Sequence, residues 1–192
     1  VDSMNNRLVI SSTIGFMCIG LTLWMGGLSP THWVAGPNMH AMIMMFTLGS
    51  VVLGVMAILS FFHGRTLDAI IFFGFAGLFL TLGHSGMGHA STAGDSSGTL
   101  GWFGLVWAIF FFYVWLGSFK AGWARSLFLL AAWLTGLAYA LQGWLGMTVF
   151  ENIGGYLELF TGLVAAYISA ATIINHGCGK NCLNIGGTTD AS

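Results

Sequence analysis

The sequence predicts an all-α membrane protein of six transmembrane helices. The first observation is composition: 56% of the 192 residues are hydrophobic and only 6% are charged, whereas a soluble domain contains about a quarter charged residues. So few charges suit a surface that faces lipid rather than water. The second observation is that the apolar residues form continuous runs, which indicate helices rather than the alternating pattern of a membrane β-barrel.

Each apolar run approaches the roughly 20 residues that a helix needs to cross a hydrocarbon core of about 30 Å. The first run lacks the short apolar core and cleavage site of a signal peptide, so we interpret it as a retained helix. The Gly/Ser-rich segment 85–98 is expected to be a flexible loop. The chain is therefore predicted to form a single domain over residues 1–192, with helices over 8–29, 39–62, 69–84, 100–119, 126–148 and 153–174.

The basic residues predict that both termini are cytoplasmic. Lys and Arg in short loops stay on the cytoplasmic side of a membrane. With six spans, the two termini and the loops after the second and fourth helices share one side, and only Asp95 and Glu151 are expected among the loop charges of the other. The first side carries all five basic residues of the chain, which are Arg7, Arg65, Lys120, Arg125 and Lys180.

The cysteines and the motifs predict neither a disulfide nor a cofactor. Cys178 and Cys182 fall on the predicted cytoplasmic side, where thiols stay reduced. With His176 they could offer three ligands to a soft metal, but a fourth ligand and C-x2-C spacing are missing. The sequence contains no phosphate loop, H-E-x-x-H or G-x-S-x-G motif. We therefore expect no enzyme activity, no metal and no cofactor, and a net charge of −1 indicates no nucleic-acid partner.

Small and polar residues recur at spacings of three and four on five of the six predicted helices, so they fall on one face of each. Helix four lacks such a stripe over most of its length and is crowded with aromatic residues. The stripes either let helices pack closely or line a narrow solute path. The residues assigned to a path are Ser12, Gly15, Thr81, Glu158, Thr161 and Ala165.

Glu158 is a carboxyl group inside the sixth apolar run. At the centre of a bilayer a charged side chain costs about 2.5–3.5 kcal/mol, so it must be paired, protonated, near the interface or facing water. Its predicted position is about 8 Å from the external end of its helix. A place on a solute path and snorkelling toward the surface both remain open.

Four histidines fall at or near the predicted external ends of helices one to three: His32, His40, His84 and His89. Histidine changes charge near pH 6.5, so His40 and His84 are candidates for external pH sensing. Histidines at such positions are more often interfacial polar anchors, which is the alternative interpretation. A further alternative is that these two histidines are axial ligands of a haem.

An internal duplication is weakly indicated. Helix three contains Phe75-Ala76-Gly77-Leu78 and helix six contains Phe160-Thr161-Gly162-Leu163. This three-helix offset would give a 3+3 inverted repeat, as in many transporters. Coincidence explains four residues equally well.

The tail carries the most specific motif. The run from Asn175 to Gly186, NHGCGKNCLNIG, resembles the closing N-x3-G-[RK]-x2-L-x-I-G pattern of the acetate uptake transporters, also called succinate/acetate permeases. Three further stretches fit the pattern of this family: Gly64-Arg65-Thr66, the stretch from Gly117 to Lys120, and Gly155-Tyr156. The family's N-terminal N-P-[AV]-P-[LF]-G-L signature is replaced by residues 11–16, which contain no proline and keep only its glycine.

The resemblance implies a hydrophobic constriction at Ile19, Phe75 and Trp133, with Ala165 nearby. A ring of apolar side chains dewets and blocks hydrated ions, while a neutral acid crosses at a lower cost than a bare anion. Without the resemblance, the same residues would be interpreted as core or lipid-facing positions.

The function that the resemblance implies is passage of acetate and related small carboxylates, including succinate, across a bacterial-type inner (plasma) membrane. It would be channel-like or a proton-coupled symport, and the permease would be a homo-oligomer, a hexamer. The expected partners are the solute, the lipid bilayer and further copies of the chain. An acid-gated urea or amide channel and a haem-binding membrane subunit of a redox complex are the alternatives.

Overall fold

The structure, a computed structural model, describes residues 2–34, 39–85 and 97–186, with side chains described over 9–34, 40–84 and 98–186. Every regular element in these ranges is a helix, and each helix is long and apolar enough to cross a membrane. The prediction of an all-α, multi-pass membrane protein is confirmed. The helices are α1 (Asp2–Gly27), α2 (Met39–Phe62), α3 (Thr66–Ser85), α4 (Ser97–Gly117), α5 (Trp123–Leu145) and α6 (Thr148–Cys178).

Three helix starts differ from the predicted ranges in ways that matter for polar residues. α5 begins at Trp123 rather than residue 126, so Arg125 lies in its first turn. α3 begins at Thr66 rather than residue 69, so Asp68 lies in its first turn. α6 begins at Thr148 rather than residue 153, because Gly146 ends α5 in the left-handed conformation at φ 64° and the chain turns at once. Glu158 therefore lies about 15 Å along α6, not about 8 Å. Within the predicted loop 85–98, residues 86–96 with His89 and Asp95 lie outside the described residues.

The helices form a ring. The most extensive contacts join α1 to α6, α4 to α5 and α2 to α3, followed by α5 to α6 and α1 to α2. The contact between α3 and α4, which closes the ring, is much smaller. The inverted repeat stays a prediction.

Small residues set the closest helix contacts. A Cβ on Gly104 would lie 2.7 Å from Ala140 N, and one on Gly143 would overlap Gly101 N. On the other side of the ring, a Cβ on Gly20 would lie 3.0 Å from Gly162 O. In the first half of α4, Gly101, Gly104 and Ala108 lie against α5.

The start of α1 and the end of α6 lie at one end of the bundle, which we call the termini end. The opposite end is called the far end. The Ser169 hydroxyl of α6 donates to Thr13 O of α1 at 2.8 Å. The Asn175 side chain holds the tail by donating to Leu183 O at 2.8 Å and accepting from Leu183 N at 2.7 Å. Ala124 N, in the first turn of α5, donates to Ile185 O at 3.4 Å. That the termini end is cytoplasmic stays a prediction.

Candidate functional site

A column of phenylalanine rings occupies the middle of the bundle. The neighbouring centroids are 5.5 Å apart for Phe46 and Phe79, 5.6 Å for Phe79 and Phe75, 5.5 Å for Phe75 and Phe128, and 5.6 Å for Phe128 and Phe16. None of the five is more than 9% exposed. The rings come from α2, α3, α5 and α1, in order from the far end toward the termini end. We call these five residues the phenylalanine column.

Helical spacing places the column. Phe72, Phe75 and Phe79 recur on α3 at intervals of three and four, so they share one face, and all three are buried. Phe72 packs beside the column, 5.2 Å from the centroid of Phe16. A Cβ on Gly15 would overlap the Phe72 ring. The absence of a side chain at Gly15 therefore lets α1 approach α3 closely enough for Phe16 to join the column.

A carboxyl group stands at the far end of the column. Glu158 of α6 is 7% exposed, and its Oε2 accepts a hydrogen bond of 2.6 Å from the Tyr139 hydroxyl of α5. A Cβ on Gly26 of α1 would overlap Glu158 Oε1 and lie 3.2 Å from Phe46 Cζ. The carboxyl group and the Phe46 ring therefore both lie against Gly26, where the absence of a side chain leaves room for Glu158 Oε1.

A guanidinium stands at the other end. The Arg125 Cζ atom lies 5.7 Å from the centroid of the Phe16 ring, and Arg125 Nε donates to Asp68 Oδ1 at 3.2 Å. Asp68 Oδ2 forms an ion pair of 2.9 Å with Arg65. Two guanidinium groups thus share one carboxylate whose side chain is 3% exposed, which leaves a net positive charge next to the column.

Arg65 lies just before α3 at the termini end, and its side chain is partly buried. Burial lowers the pKa of its guanidinium from the ordinary value and the nearby Arg125 adds to this, while Asp68 opposes it. Because the ordinary pKa of arginine lies far above neutral, the Arg65 guanidinium stays charged at neutral pH.

The architecture of this bundle has a known counterpart. The chain resembles the bacterial acetate channel SatP. The two structures superpose with a TM-score of 0.83 over 92% of this chain and 98% of that chain, at 19% sequence identity. No family model matches the sequence, and no curated protein matches it. At this identity the likeness to SatP shows the fold, and the six-helix architecture implied by the sequence motifs is confirmed.

The residues assigned to the constriction occupy different places within this SatP-like fold. Phe75 lies in the phenylalanine column, and its ring also packs 4.6 Å from Phe111 of α4. Ile19 and Ala165 are fully buried. The described ring contacts of Trp133 are instead with two aromatic residues of α4, at centroid distances of 5.4 Å and 6.2 Å. The structure thus brings Phe75, but not Trp133, into stacking contact with the column.

The polar residues assigned to the path are also spread out. Ser12 is fully buried one turn from Phe16, and its hydroxyl has no hydrogen-bond partner within the described part of the chain. The Thr161 hydroxyl donates to Leu157 O of its own helix at 2.7 Å. Thr81, His40 and His84 are exposed toward the far end. Of this group, Glu158 is the residue that the structure places against the column.

Sequence reasoning missed several residues of the site. Tyr139, Phe128 and Phe16 were not selected, because phenylalanine and tyrosine occur on every face of these helices and nothing in their spacing marks a buried ring. A signal for Asp68 was present, since an acidic residue three positions after Arg65 is typical of a pair on one helix face. It was lost when the third helix was begun at residue 69.

Proposed function

We propose that the protein passes small monocarboxylates such as acetate through the interior of each protomer, along the phenylalanine column. The observation that carries this proposal is the bracketing of the column by Glu158 at one end and Arg125 at the other. The fold shared with an acetate channel and the tail motif support membership of the acetate uptake transporter family.

The column suits a small, weakly acidic solute. Apolar rings around a narrow path dewet it, so hydrated inorganic ions are excluded. The apolar methyl group of acetate can pack against the rings. The free-energy cost of transferring its carboxylate out of water falls when that group is protonated. Succinate carries a second carboxylate, whose transfer out of water adds a second desolvation cost. We therefore expect acetate to pass faster than succinate.

The guanidinium end supports an anionic solute. Arginine binds a carboxylate through two parallel hydrogen bonds. The Arg125 guanidinium lies against Phe16, the ring of the column at the termini end. Asp68 holds Arg125 through Nε. An anion that leaves or enters the column at the termini end therefore meets a positive charge at the point where it regains water.

The assembly and its location follow from the same proposal. The protein would form homo-hexamers in a bacterial-type inner membrane, with the termini end in the cytoplasm, as the basic residues predict. Large apolar side chains are exposed on the outer faces of the helices, for example Phe73 and Val106. Lipid or a neighbouring protomer can cover them without the cost that water would impose.

The experiment is uptake of labelled acetate into proteoliposomes of purified protein. It is done at neutral pH, where only a small fraction of the acid is protonated and able to cross lipid without the protein. We expect saturable uptake above that of empty liposomes, reduced by competing unlabelled acetate and less so by succinate. Absence of protein-dependent uptake, with a folded and monodisperse protein, would overturn the proposal. Urea uptake by the same liposomes would then favour the alternative of a urea channel. A Soret band in the absorption spectrum of the purified protein would favour a haem-binding subunit.

A further inference from the structure

The two buried carboxyl groups of the described residues have opposite surroundings. Asp68 is held by two arginines. Glu158 forms no ion pair within the described residues, and its hydrogen bond comes from a neutral phenol. Because an unpaired carboxylate is costly in such surroundings, a proton is the counter-charge most readily available to Glu158.

The groups that face Glu158 come from each helix packed around it. α5 presents the Tyr139 hydroxyl, and α1 and α2 present Gly26 and the Phe46 ring. On α6 itself the nearest charged group is Glu151, two turns earlier, which acts electrostatically on Tyr139. This set contains two acids and a phenol and no basic group.

The carboxyl group has two distinct oxygens in this arrangement. Oε2 accepts the Tyr139 hydrogen bond, whereas Oε1 faces Gly26 and the end of the phenylalanine column. A proton on Oε1 would therefore lie on the side from which a solute approaches Phe46. Tyr139 can keep donating to Oε2 whether the group is neutral or ionised, so the carboxylate left by a proton transfer retains a partner.

We propose that Glu158 is the proton donor that converts an arriving carboxylate into its neutral acid at the far-end mouth of the phenylalanine column. The step rests on the proposed function. The O–H bond on Glu158 Oε1 breaks as an O–H bond forms on the solute, so a neutral Glu158 and a carboxylate anion become a Glu158 carboxylate and a neutral acid. Glu158 takes up a proton again from the aqueous solution at the far end, and the neutral acid releases its proton into the solution at the termini end. One proton therefore crosses with each carboxylate.

Electroneutral passage distinguishes this role from a structural one. If Glu158 supplies the proton, uptake of acetate by the wild-type protein carries no net current, and an internal pH indicator records one proton for each acetate. A carboxyl group that only held α5 to α6 would leave this stoichiometry unchanged when it is replaced.

The test compares variants in the same proteoliposomes. Glu158→Gln keeps the shape and the acceptor for Tyr139 but cannot donate an acidic proton, so acetate uptake at neutral pH should fall on the order of tenfold or more. Its residual flux should carry current in a planar bilayer. Glu158→Asp should retain part of the proton-coupled uptake. The matched control is Glu151→Gln, the same change on the same helix, which removes a carboxylate two turns from Glu158 and should leave the stoichiometry of one proton for each acetate as in the wild type.

The outcomes separate the two proposals. No uptake by the wild-type protein would overturn the proposed function. Wild-type uptake with an E158Q variant of equal rate, proton stoichiometry and pH profile would overturn the role of Glu158 and leave the function standing. If E158Q does not fold, the role of Glu158 is tested with Tyr139→Phe. Loss of the hydrogen bond to Glu158 Oε2 should shift the pH profile of acetate uptake. An unchanged profile would overturn the proposal.

Discussion

The Arg125 guanidinium lies over the Phe16 ring, with Cζ 5.7 Å from the ring centroid. A cation over an aromatic face is stabilised by about 0.5–2 kcal/mol, more when water is excluded. Asp68 orients the group by accepting from Arg125 Nε at 3.2 Å. Helix α5 therefore supplies both the cation that lies over Phe16 and, in Phe128, the next ring of the column.

Asp68→Asn should destabilise the protein. It leaves two guanidinium groups close together without the carboxylate between them. Breaking a buried pair costs about 3–5 kcal/mol, and the partial exposure of Arg65 reduces this to roughly 1–3 kcal/mol. Thermal unfolding in detergent should show a lower midpoint that added salt partly restores. An unchanged midpoint, or a loss equal to that of Glu151→Gln, would contradict the role assigned to Asp68.

Phe75→Ala should open the column. The ring is in contact with Phe79, Phe111 and Phe128, and truncating a buried phenylalanine costs about 3–5 kcal/mol. The cavity should admit water and weaken the barrier to hydrated ions, so proteoliposomes should leak sodium. The control is Phe73→Ala on the same helix, where the side chain is 72% exposed. Ion-tight liposomes with the Phe75 variant would show that the column is not the barrier.

Gly143→Ala should disrupt the contact between α4 and α5. The added methyl group would overlap the backbone of Gly101, and overpacking of this kind costs about 1–3 kcal/mol. Gly117→Ala serves as the control, because a Cβ there meets no atom within 4 Å. We expect a lower unfolding temperature for the first variant only. Equal temperatures for both would mean that α4 and α5 are not held by this close approach.

Cys178→Ala should increase the reactivity of Cys182. A hydrogen bond with Cys178 raises the pKa of the Cys182 thiol above its ordinary value. Since the thiolate is the reactive form, a raised pKa leaves less of it at neutral pH, and removing Cys178 lowers the pKa again. Maleimide labelling of Cys182 near pH 8 should therefore be faster in the variant. A labelling rate that does not change would show that the two thiols are independent.

Much of the site could not be predicted from the sequence. Glu158 was selected because a carboxyl group in an apolar run is conspicuous. Its partner Tyr139 lies 19 positions away on another helix, and only the turn at Gly146 brings the two together. Arg125 and Asp68 are 57 positions apart, and each was assigned to a loop when the helix starts were placed too late. The assignment of Trp133 to the constriction stays a prediction.

By itself, the sequence determined the class of fold and the number of helices. Both follow from summed hydrophobicity and from the length of a helix that crosses a bilayer, which are local quantities. The tertiary structure alone decided which rings form the column, and that Glu158 borders Phe46 while Arg125 borders Phe16. Those contacts depend on the rotation and separation of each helix, which glycines such as Gly15 and Gly26 set against residues on other helices. In a chain that is apolar on nearly every face, hydrophobic periodicity carries too little information to specify these rotations.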